Sequence, residues 1–508
     1  MVNIILGPPG TGKTTTLLSL VDDALKRGVA PDRIALVTFT TRGANEAKER
    51  AMKKFGLEAK ALPYFSTLHA LCYRQLGMSR SDILTGKSFF EFADYAKVRV
   101  TGRAWSEDGI FAGFEPGDRI LFMENLSRIR RVPLREQYEL DSDGQNWREV
   151  ERVAKSLQVF KANRGLMDFT DMLNEFVKMQ SAPDIDELFV DESQDLSALQ
   201  WEVVNVLAQN AKSVTIAGDD DQAIYRWAGA DVEHLITMDG DVRVLGQSFR
   251  TPKKVQDLAN SIIEGVAARR PKRWKPRKAE GIVDYQRSIH SVDIDEGDVL
   301  VLARNQYVLN EHVLPTLRRE GVIFEVGGKT SIDAKVMRVI TAWEDLRKGE
   351  AIPLVIVREM YEYISTNTGI KRGCKTLPKY GEDGDMPVTM TDLRETGGLL
   401  TDPQLIWHEA LDRLPSEEMS YILAARRRGE RLRGAKPRIR VSTIHSAKGA
   451  EASHVVLMKE IAQRTWYEMK KDNSILDDER RVWYVGATRA KEKLTLVDSE
   501  TARSCPWL

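Results

Sequence analysis

Short apolar runs alternate with helical patterns in the first part of the chain. The runs lie at 2–6, 34–39, 187–190 and 213–218, and each is followed by a stretch in which apolar residues recur at helical spacing. Continuous apolar runs are typical of strands buried on both faces, and strands that alternate with helices form a parallel sheet covered by helices. We therefore predict a first α/β core.

A second set of apolar runs predicts a second α/β core later in the chain. These runs lie at 242–246, 298–303, 438–443, 454–458 and 493–497. They have similar lengths and the same helical surroundings as the first set, so we assign all of them to one further parallel sheet.

Two stretches without such runs interrupt the predicted cores. Residues 79–160 have a mostly helical pattern, and residues 350–437 are rich in glycine, proline and charged residues. Strands resume abruptly after each stretch, which is typical of insertion domains grown from loops, and we predict that each insertion domain is mainly helical. The predicted domains are a first core at 1–78 and 161–240, a helical insert at 79–160, a second core at 241–349 and 438–508, and a second insert at 350–437.

Composition excludes some classes of protein. The chain has 508 residues, of which 42% are apolar and 30% charged, as in globular proteins of several domains. Lys and Arg together number 75, as do Asp and Glu, so the chain is not a polycation that coats nucleic acid. Basic clusters at 269–278 and 426–440 are either solvated loops or surfaces that contact phosphates.

The cysteines and the N-terminus indicate a cytoplasmic protein. Cys72, Cys374 and Cys505 are far apart in sequence, so they predict neither a zinc site nor a disulfide framework. The first residues form an apolar strand that leads into a glycine loop, unlike a signal peptide, and no run reaches the ~20 apolar residues that span a bilayer.

The segment GPPGTGKT at 7–14 has the full P-loop pattern, with a predicted strand before it and a predicted helix after it. Glycines allow successive backbone N–H groups to surround phosphate oxygens at the start of the helix. Lys13 is expected to reach the β- and γ-phosphates of a nucleotide, and Thr14 is expected to bind Mg²⁺. The predicted nucleotide-binding residues of this loop are Gly7, Gly10, Gly12, Lys13, Thr14 and Thr15.

Polar residues follow two more strands of the first core. Asp191 is suited to hold Mg²⁺ and Glu192 to deprotonate the attacking water, although carboxylates at a strand end also occur as helix caps. Gln222 is suited to sense the γ-phosphate, and the alternative is a polar turn. Arg250 and Arg489 follow apolar segments of the second core and could neutralise charge on a transferring phosphoryl group, or could be surface arginines.

The order of these motifs resembles that of superfamily 1 helicases of the UvrD/Rep/PcrA type. The matching segments lie at 7–14, 37–51, 65–73, 190–195, 218–230, 247–251, 441–457 and 482–494. The resemblance implies two RecA-like cores with ATP and Mg²⁺ bound between them. It also implies that Arg250 and Arg489 reach across that cleft as arginine fingers. Phe249 has the position that stacks on adenine, and Gly449 and Glu451 have positions near the γ-phosphate and the ribose.

The resemblance also suggests a path for single-stranded DNA. The predicted DNA-binding residues are Thr38, Phe39, Thr67, His69, Tyr225, Trp227, Thr443 and His445. The aromatic side chains would stack on bases and the polar ones would contact phosphates, without sequence specificity. For each aromatic residue the alternative is core packing, and for each histidine it is a bond between loops.

The leading hypothesis is an ATP-hydrolysing DNA helicase that moves 3′-to-5′ on single strands and acts on tailed duplexes. The alternatives are a DNA-stimulated translocase that removes bound proteins with little unwinding, and a non-catalytic DNA-binding scaffold. Two departures from the family stand out. Ala228 replaces the usual arginine of its motif, and the printed sequence has no glutamine motif before the P-loop strand, so we expect a relaxed choice of base.

Overall fold

The structure is a computed structural model that describes residues 2–101, 115–375, 384–431 and 436–508. Parts of both predicted inserts and of the second basic cluster, at 102–114, 376–383 and 432–435, lie outside the described residues, as does Met1. Two compact units make up the chain. The first comprises Met1–Gly281, Arg464–Lys491 and Trp507, and the second comprises Ile282–Gln463, Glu492–Pro506 and Leu508.

The strands and helices have the following bounds. The strands are β1 (Val2–Leu6), β2 (Ile34–Thr38), β3 (Phe65–Thr67), β4 (Glu187–Asp191), β5 (Ser213–Gly218), β6 (Asp241–Val244), β7 (Ile282–Gln286), β8 (Val299–Ala303), β9 (Phe324–Val326), β10 (Lys329–Thr330), β11 (Ile352–Pro353), β12 (Pro387–Val388), β13 (Ile439–Thr443), β14 (Ala452–Met458) and β15 (Ala490–Val497). The helices are α1 (Lys13–Lys26), α2 (Thr41–Phe55), α3 (Leu68–Gln75), α4 (Lys87–Ala96), α5 (Pro116–Arg130), α6 (Leu134–Leu140), α7 (Trp147–Arg164), α8 (Phe169–Met179), α9 (Ala198–Ala208), α10 (Val232–Thr237), α11 (Lys253–Ile263), α12 (Gln306–Val308), α13 (Leu314–Arg319), α14 (Ala334–Arg347), α15 (Leu354–Tyr361), α16 (Met390–Glu395), α17 (Trp407–Ala410), α18 (Ser416–Arg428), α19 (Gln463–Lys471) and α20 (Asn473–Ala487).

The first unit contains a six-stranded sheet in the order β3-β2-β4-β5-β1-β6, and its neighbouring strands all pair in parallel. The predicted strands of the first core are confirmed as β1, β2, β4 and β5. Apolar clusters cover both faces, with Leu6 and Val190 in one cluster and Ile5 and Leu36 in the other. Since the strands are parallel, their carboxyl ends meet at one edge, and the P-loop lies there.

One predicted strand belongs to a different sheet from the one we expected. The run at 242–246 forms β6, but its assignment to the second core is wrong, because β6 pairs with β1 and places Val242 opposite Ile4. The strand is mostly exposed at the sheet edge. The residues of β6 therefore do not indicate which strand it pairs with. Its position along the chain, next to the second set of apolar runs, suggested the wrong sheet.

The second unit contains a seven-stranded sheet in the order β10-β9-β13-β8-β14-β15-β7. The predicted strands β8, β13, β14 and β15 are confirmed, and β8 is buried at every position. The pairs β13–β8, β14–β8 and β15–β7 are parallel, whereas β10 and β9 form an antiparallel hairpin. Each unit is thus an α/β core with a largely parallel sheet, as predicted.

The described part of the first insert is mainly helical, whereas the described part of the second contains the helices α15 to α18 with turns, loops and two short strands between them. In the first insert, α4, α5 and α7 enclose an apolar cluster that includes Phe92 and Leu157. A buried ionic group links this insert to α8: Lys161 lies 2.6 Å and Arg128 2.8 Å from Asp168, which also caps α8. In the second insert, α15 to α18 pack with α14, and β11 and β12 form a two-stranded sheet. The domain boundaries themselves stay predictions.

The structure also bears on the expectations about the cysteines and about membrane-spanning segments. All three cysteines are free thiols, so no disulfide links the described residues. Among those residues, every helix is too short or too polar to cross a membrane.

Candidate nucleotide-binding site

The P-loop connects the end of β1 to the start of α1. Gly7 donates a backbone hydrogen bond of 3.0 Å to Gly218 O at the end of β5, which fixes the loop at the edge of the sheet. Gly10 and Gly12 have φ angles of 71° and 80°, a region that glycine adopts without strain. The first turn of α1 then begins at Lys13, so the N–H groups of this turn, which have no partner within the helix, lie next to the loop.

Lys13 folds back over the loop, and Thr14 contacts a second strand. Lys13 Nζ donates to Gly7 O over 3.1 Å, and a Cβ on Gly7 would lie 2.0 Å from Lys13 Cγ, so only glycine leaves room for this path. Thr14 Oγ1 donates a 2.6 Å hydrogen bond to Asp191 Oδ2. Thr15 is exposed. The residues predicted from the P-loop and from β4 therefore meet at one point.

Asp191 and Glu192 lie at the carboxyl end of β4 in different surroundings. Asp191 is buried, and burial together with the neighbouring charge of Glu192 raises its pKa to about 6. Glu192 has a left-handed φ of 53°, and its backbone N–H donates to Asp191 Oδ1 over 2.9 Å. Buried Gln194 donates to Glu192 Oε2 over 2.7 Å and thereby orients this carboxylate.

Sequence reasoning missed Gln194. Its Oε1 also accepts a hydrogen bond of 2.9 Å from Asp219 N, which joins the end of β4 to the end of β5. The signal that could have found it is a polar amide next to two carboxylates at the end of a buried strand, where an unpaired amide would be costly.

The oxygen atoms of Thr14 and Asp191 fit a magnesium ion. Hydroxyl and carboxylate oxygens are the ligands that Mg²⁺ takes from proteins, and a cation would offset the cost of burying Asp191 as an anion. Among the residues that the structure describes, no group of three or more His, Cys, Asp or Glu side chains is placed to hold a metal. With one hydroxyl and one carboxylate at this point, a magnesium ion would take its remaining ligands from phosphate and water oxygens.

Gln222 and Arg489 are joined in the same unit. Gln222 ends a 3₁₀ turn after β5, and its Nε2 donates to Asp219 Oδ2 over 2.7 Å. Its Oε1 accepts a 2.9 Å hydrogen bond from Arg489 Nη2, and Arg489 Nε donates to Val485 O over 2.9 Å. Arg489 is 2% exposed. The glutamine therefore ends a polar turn and belongs to a buried polar network, and its role in sensing the γ-phosphate stays a prediction.

The segment at 247–251 packs directly on the P-loop. Phe249 N donates to Gly10 O over 2.8 Å, and Ser248 Oγ donates to Pro9 O over 2.7 Å. A Cβ on Gly10 would lie 2.3 Å from Arg250 Cβ. The Phe249 side chain is 74% exposed, as a ring available for stacking on a base must be.

The expected location of the two arginines is therefore wrong. We placed Arg250 and Arg489 in the second core, but both belong to the first compact unit, together with the P-loop. Arg250 follows β6, which joins the first sheet, and Arg489 follows α20, which packs in the first unit although it comes late in the chain. Their roles as arginine fingers stay predictions.

Four predicted residues lie in the second unit. Gly449 has a φ of 82° in the turn after β13, and the backbone oxygen of Glu451 accepts a hydrogen bond of 2.7 Å from Arg440. Thr443 Oγ1 accepts from Ser446 N over 3.3 Å, and His445 is partly buried nearby. The roles of these residues near the nucleotide or DNA stay predictions.

The predicted base-stacking residues differ in exposure. Tyr225 is 7% exposed and its ring stacks on that of Phe39, with centroids 5.6 Å apart. Trp227 is 40% exposed and lies 6.4 Å from the ring of Phe122 on α5. Trp227 therefore offers an accessible aromatic face, whereas Tyr225 supports Phe39 from within the protein.

The three remaining polar residues lie at the same sheet edge. Thr38 and Thr67 are 4% exposed, and Thr67 caps α3 by accepting a 3.1 Å hydrogen bond from Ala70 N. His69 lies edge-on to the ring of Phe169, with ring centroids 6.1 Å apart. Desolvation lowers the pKa of His69 to about 4, so the ring is neutral at pH 7 and would meet a phosphate as a hydrogen-bonding group without charge.

Two protein-family models match this chain, one in its first half and one near its C-terminal end. Residues 1–243 match the UvrD/REP helicase N-terminal domain, and residues 416–501 match the UvrD-like helicase C-terminal domain. The ATP-dependent DNA helicase PcrA of Staphylococcus aureus is 27% identical over 285 residues, which cover 53% of this chain and 39% of that relative. PcrA of Staphylococcus epidermidis is 26% identical over 320 residues, which cover 60% of this chain and 44% of the relative.

The matched part thus spans less than half the length of these curated relatives. The two matching domains follow one another in the order that the sequence motifs predict, and each falls on an α/β sheet of the structure. The chain belongs to the UvrD/Rep/PcrA-type family of superfamily 1 helicases.

Proposed function

We propose that this chain hydrolyses ATP at its P-loop and uses the reaction to move along single-stranded DNA as a helicase. One observation carries the proposal: Lys13, Thr14 and Asp191 meet at the edge of one sheet, with the Gln222–Arg489 pair in the same compact unit. The similarity to proteins named ATP-dependent DNA helicase supports the choice of ATP and DNA.

Each polar group in the site has a task in phosphoryl transfer. The P-loop N–H groups and Lys13 bind phosphate oxygens, and Thr14 and Asp191 would hold Mg²⁺, which supplies charge neutralisation when bound. Glu192, oriented by Gln194, accepts the proton of the attacking water.

Arginine side chains neutralise the negative charge on the transferring phosphoryl group. Gln222 orients Arg489 through their hydrogen bond, and Arg250 lies beside Gly10 of the loop. Arginine is suited to this task because its planar guanidinium binds phosphate oxygens through two parallel hydrogen bonds.

The DNA part of the proposal depends on the surface near Trp227. This exposed ring and the partly buried Phe39 follow strands of the first sheet, and both can stack on bases without reading their sequence. We further propose 3′-to-5′ movement, on the basis of the family resemblance.

Strand displacement on 3′-tailed and 5′-tailed duplexes tests the proposal, with ATP hydrolysis measured in parallel with and without single-stranded DNA. We expect DNA-stimulated hydrolysis and unwinding of the 3′-tailed duplex. Glu192→Gln should bind ATP normally and lose turnover by about 10²- to 10⁴-fold, because only the base is removed. Glu233→Gln, at an exposed position on α10, is the matched control.

Other results of the hydrolysis and strand-displacement assays would support one of the alternative functions. Stimulated hydrolysis without unwinding would make the chain a translocase that removes bound proteins. Binding of DNA without hydrolysis would make it a scaffold and would overturn the proposal, as would full turnover in Glu192→Gln. Unwinding of the 5′-tailed duplex alone would reverse the proposed polarity.

A further inference from the structure

The first basic cluster, at 269–278, contains a lysine that is buried against three aspartates. Lys272 Nζ lies 3.1 Å from Asp219 Oδ1 and 3.1 Å from Asp221 Oδ2, and it donates a short hydrogen bond to Asp220 Oδ1. The lysine side chain is 1% exposed. The sequence suggested two alternatives for this cluster, a solvated loop or a surface that contacts phosphates. Neither applies to Lys272, because its side chain is buried.

Neighbouring residues complete the arrangement around the aspartates. Arg269 makes a two-pronged ion pair with Asp221, with Nε and Nη2 at 2.8 Å and 2.6 Å from the carboxylate oxygens. The backbone N–H of Arg270 donates to Asp220 Oδ2 over 2.8 Å. Buried Arg481, on α20, donates to the backbone oxygen of Asp220 over 3.0 Å. The aspartate turn, residues 219–221, is therefore held from several sides.

Three consecutive carboxylates cannot be buried together without cations. Their side chains are 0–2% exposed, and in such surroundings like charges repel strongly and each loses its hydration. Burial by itself would lower the pKa of Lys272, yet the three carboxylates outweigh burial and raise it, so the lysine stays charged. Lys272 is the cation that contacts all three.

The aspartate turn leads directly to the nucleotide site. Asp219 accepts two hydrogen bonds from Gln222: one of 2.7 Å from Nε2 to its carboxylate and one of 2.8 Å from the backbone N–H to its backbone oxygen. Gln222 in turn accepts the bond from Arg489. A shift of the turn would therefore move the amide of Gln222 and the guanidinium of Arg489 together.

We propose that Lys272 is a positioning residue that holds the aspartate turn and thereby sets the orientation of Gln222 and Arg489 for hydrolysis. This inference rests on the proposed function for its effect on turnover. That Lys272 holds the aspartate turn in place is a separate claim, which can be tested by a measurement that does not depend on ATP hydrolysis.

The test compares Lys272→Met with Lys278→Met, which removes the same charge from an exposed position of the same cluster. In Lys272→Met, turnover at saturating ATP should fall by about 10- to 100-fold, while the Kd for ATP changes little, because the P-loop is intact. Lys272→Arg keeps the charge and should recover much of the turnover. Hydrogen exchange of the amides at 219–222 should become faster in Lys272→Met and stay unchanged in Lys278→Met.

These readouts separate positioning from general stability. A merely structural lysine would lower the amount of folded enzyme and leave turnover per ATP-binding site unchanged, which would overturn the proposal. Unchanged exchange at 219–222 in Lys272→Met would also overturn it. If the wild-type chain hydrolysed no ATP, the proposed function would fail, and the exchange at 219–222 would still decide whether Lys272 holds the turn.

A second variant covers the case in which Lys272→Met does not fold. Asp220→Asn keeps the shape of the turn and the lysine, and it removes one of the three carboxylates that Lys272 contacts. It should show the same two changes more weakly. Faster exchange at 219–222 with lower turnover would support the proposal, and wild-type values of both would overturn it.

Discussion

Arg489 donates a hydrogen bond of 2.9 Å from Nη2 to Oε1 of Gln222, and both side chains are almost fully buried. The two residues are 267 positions apart in the sequence. Their contact joins the end of α20 to the turn after β5, so two motifs that are read separately in the sequence form one polar unit.

A double-mutant cycle on this pair should show strong coupling. Arg489→Ala should lower turnover on the order of 10³-fold or more, as loss of an arginine finger does. Gln222→Ala should also lower turnover, and the double variant should be little worse than Arg489→Ala, because residues that act as a unit are not additive. Single-turnover hydrolysis at saturating ATP measures this, with Arg243→Ala, at an exposed position on β6, as control. Additive losses would show that the two side chains act independently.

Gly10 should tolerate substitution far less than another glycine with a similar backbone. Gly10 and Gly28 have φ angles of 71° and 87°, but a Cβ on Gly10 would lie 2.3 Å from Arg250 Cβ, whereas a Cβ on Gly28 would meet nothing within 4 Å. Gly28→Ala should cost about 1–2 kcal/mol of stability through backbone strain alone. Gly10→Ala should in addition displace Arg250 and weaken ATP binding, as measured by titration with a fluorescent ATP analogue. Equal ATP affinity in the two variants would contradict the close packing at Gly10.

The lowered pKa of His69 should make the protein sensitive to acid. The ring has a pKa of about 4 in the folded chain and about 6.5 when unfolded, so the unfolded state binds the proton more readily. The stabilising contribution is therefore complete above pH 6.5 and is lost as the pH falls toward 4. Between pH 7 and pH 5 the loss should be about 2 kcal/mol.

Urea unfolding at both pH values tests this effect in the wild type and in His69→Gln. The variant has no group to protonate at this position, so its stability should fall less between pH 7 and pH 5. A pH dependence identical to that of the wild type would mean that His69 titrates normally in the folded protein.

The parts of the fold that could be predicted from the sequence are those with a local signal. Strands such as β4 and β8 are buried at every position and were evident as apolar runs. The three-residue strand β3 and the partly exposed strand β7 have no such run, and they were missed. The partner of β6 was predicted wrongly because its residues are mostly exposed, so pairing with β1 leaves no mark on its composition.

The same distinction applies to the candidate site. The P-loop and the carboxylates after β4 could be identified because each is a short motif with its own chemistry. The salt bridges of Lys272 with aspartates about 50 positions away could not, since a lysine in a basic segment has the same local pattern whether it is buried or exposed. The location of Arg250 beside Gly10 was also hidden, because it follows from the pairing of β6 with β1.

The last prediction separates DNA contact from packing at Trp227. Its ring is 40% exposed, whereas the ring of Tyr225 is 7% exposed and stacks on Phe39. Trp227→Ala should weaken binding of single-stranded DNA by about 1–3 kcal/mol, the value of one stacked base, and should reduce DNA stimulation while basal hydrolysis stays near normal. Tyr225→Ala should instead destabilise the fold by about 3–5 kcal/mol, as truncation of a buried aromatic ring does.

The measurements are the basal and DNA-stimulated rates of hydrolysis, the affinity for a fluorescent oligonucleotide, and the unfolding midpoint of each variant. Tyr285→Ala, an exposed aromatic on β7, is the matched control and should change none of them. Because stacking contributes only when DNA is bound, an effect of Trp227→Ala on stimulated hydrolysis alone would place the base at this ring. An equal fall in the basal rate would instead mean that Trp227 supports the site through its packing beside Phe122, and that the bases stack elsewhere.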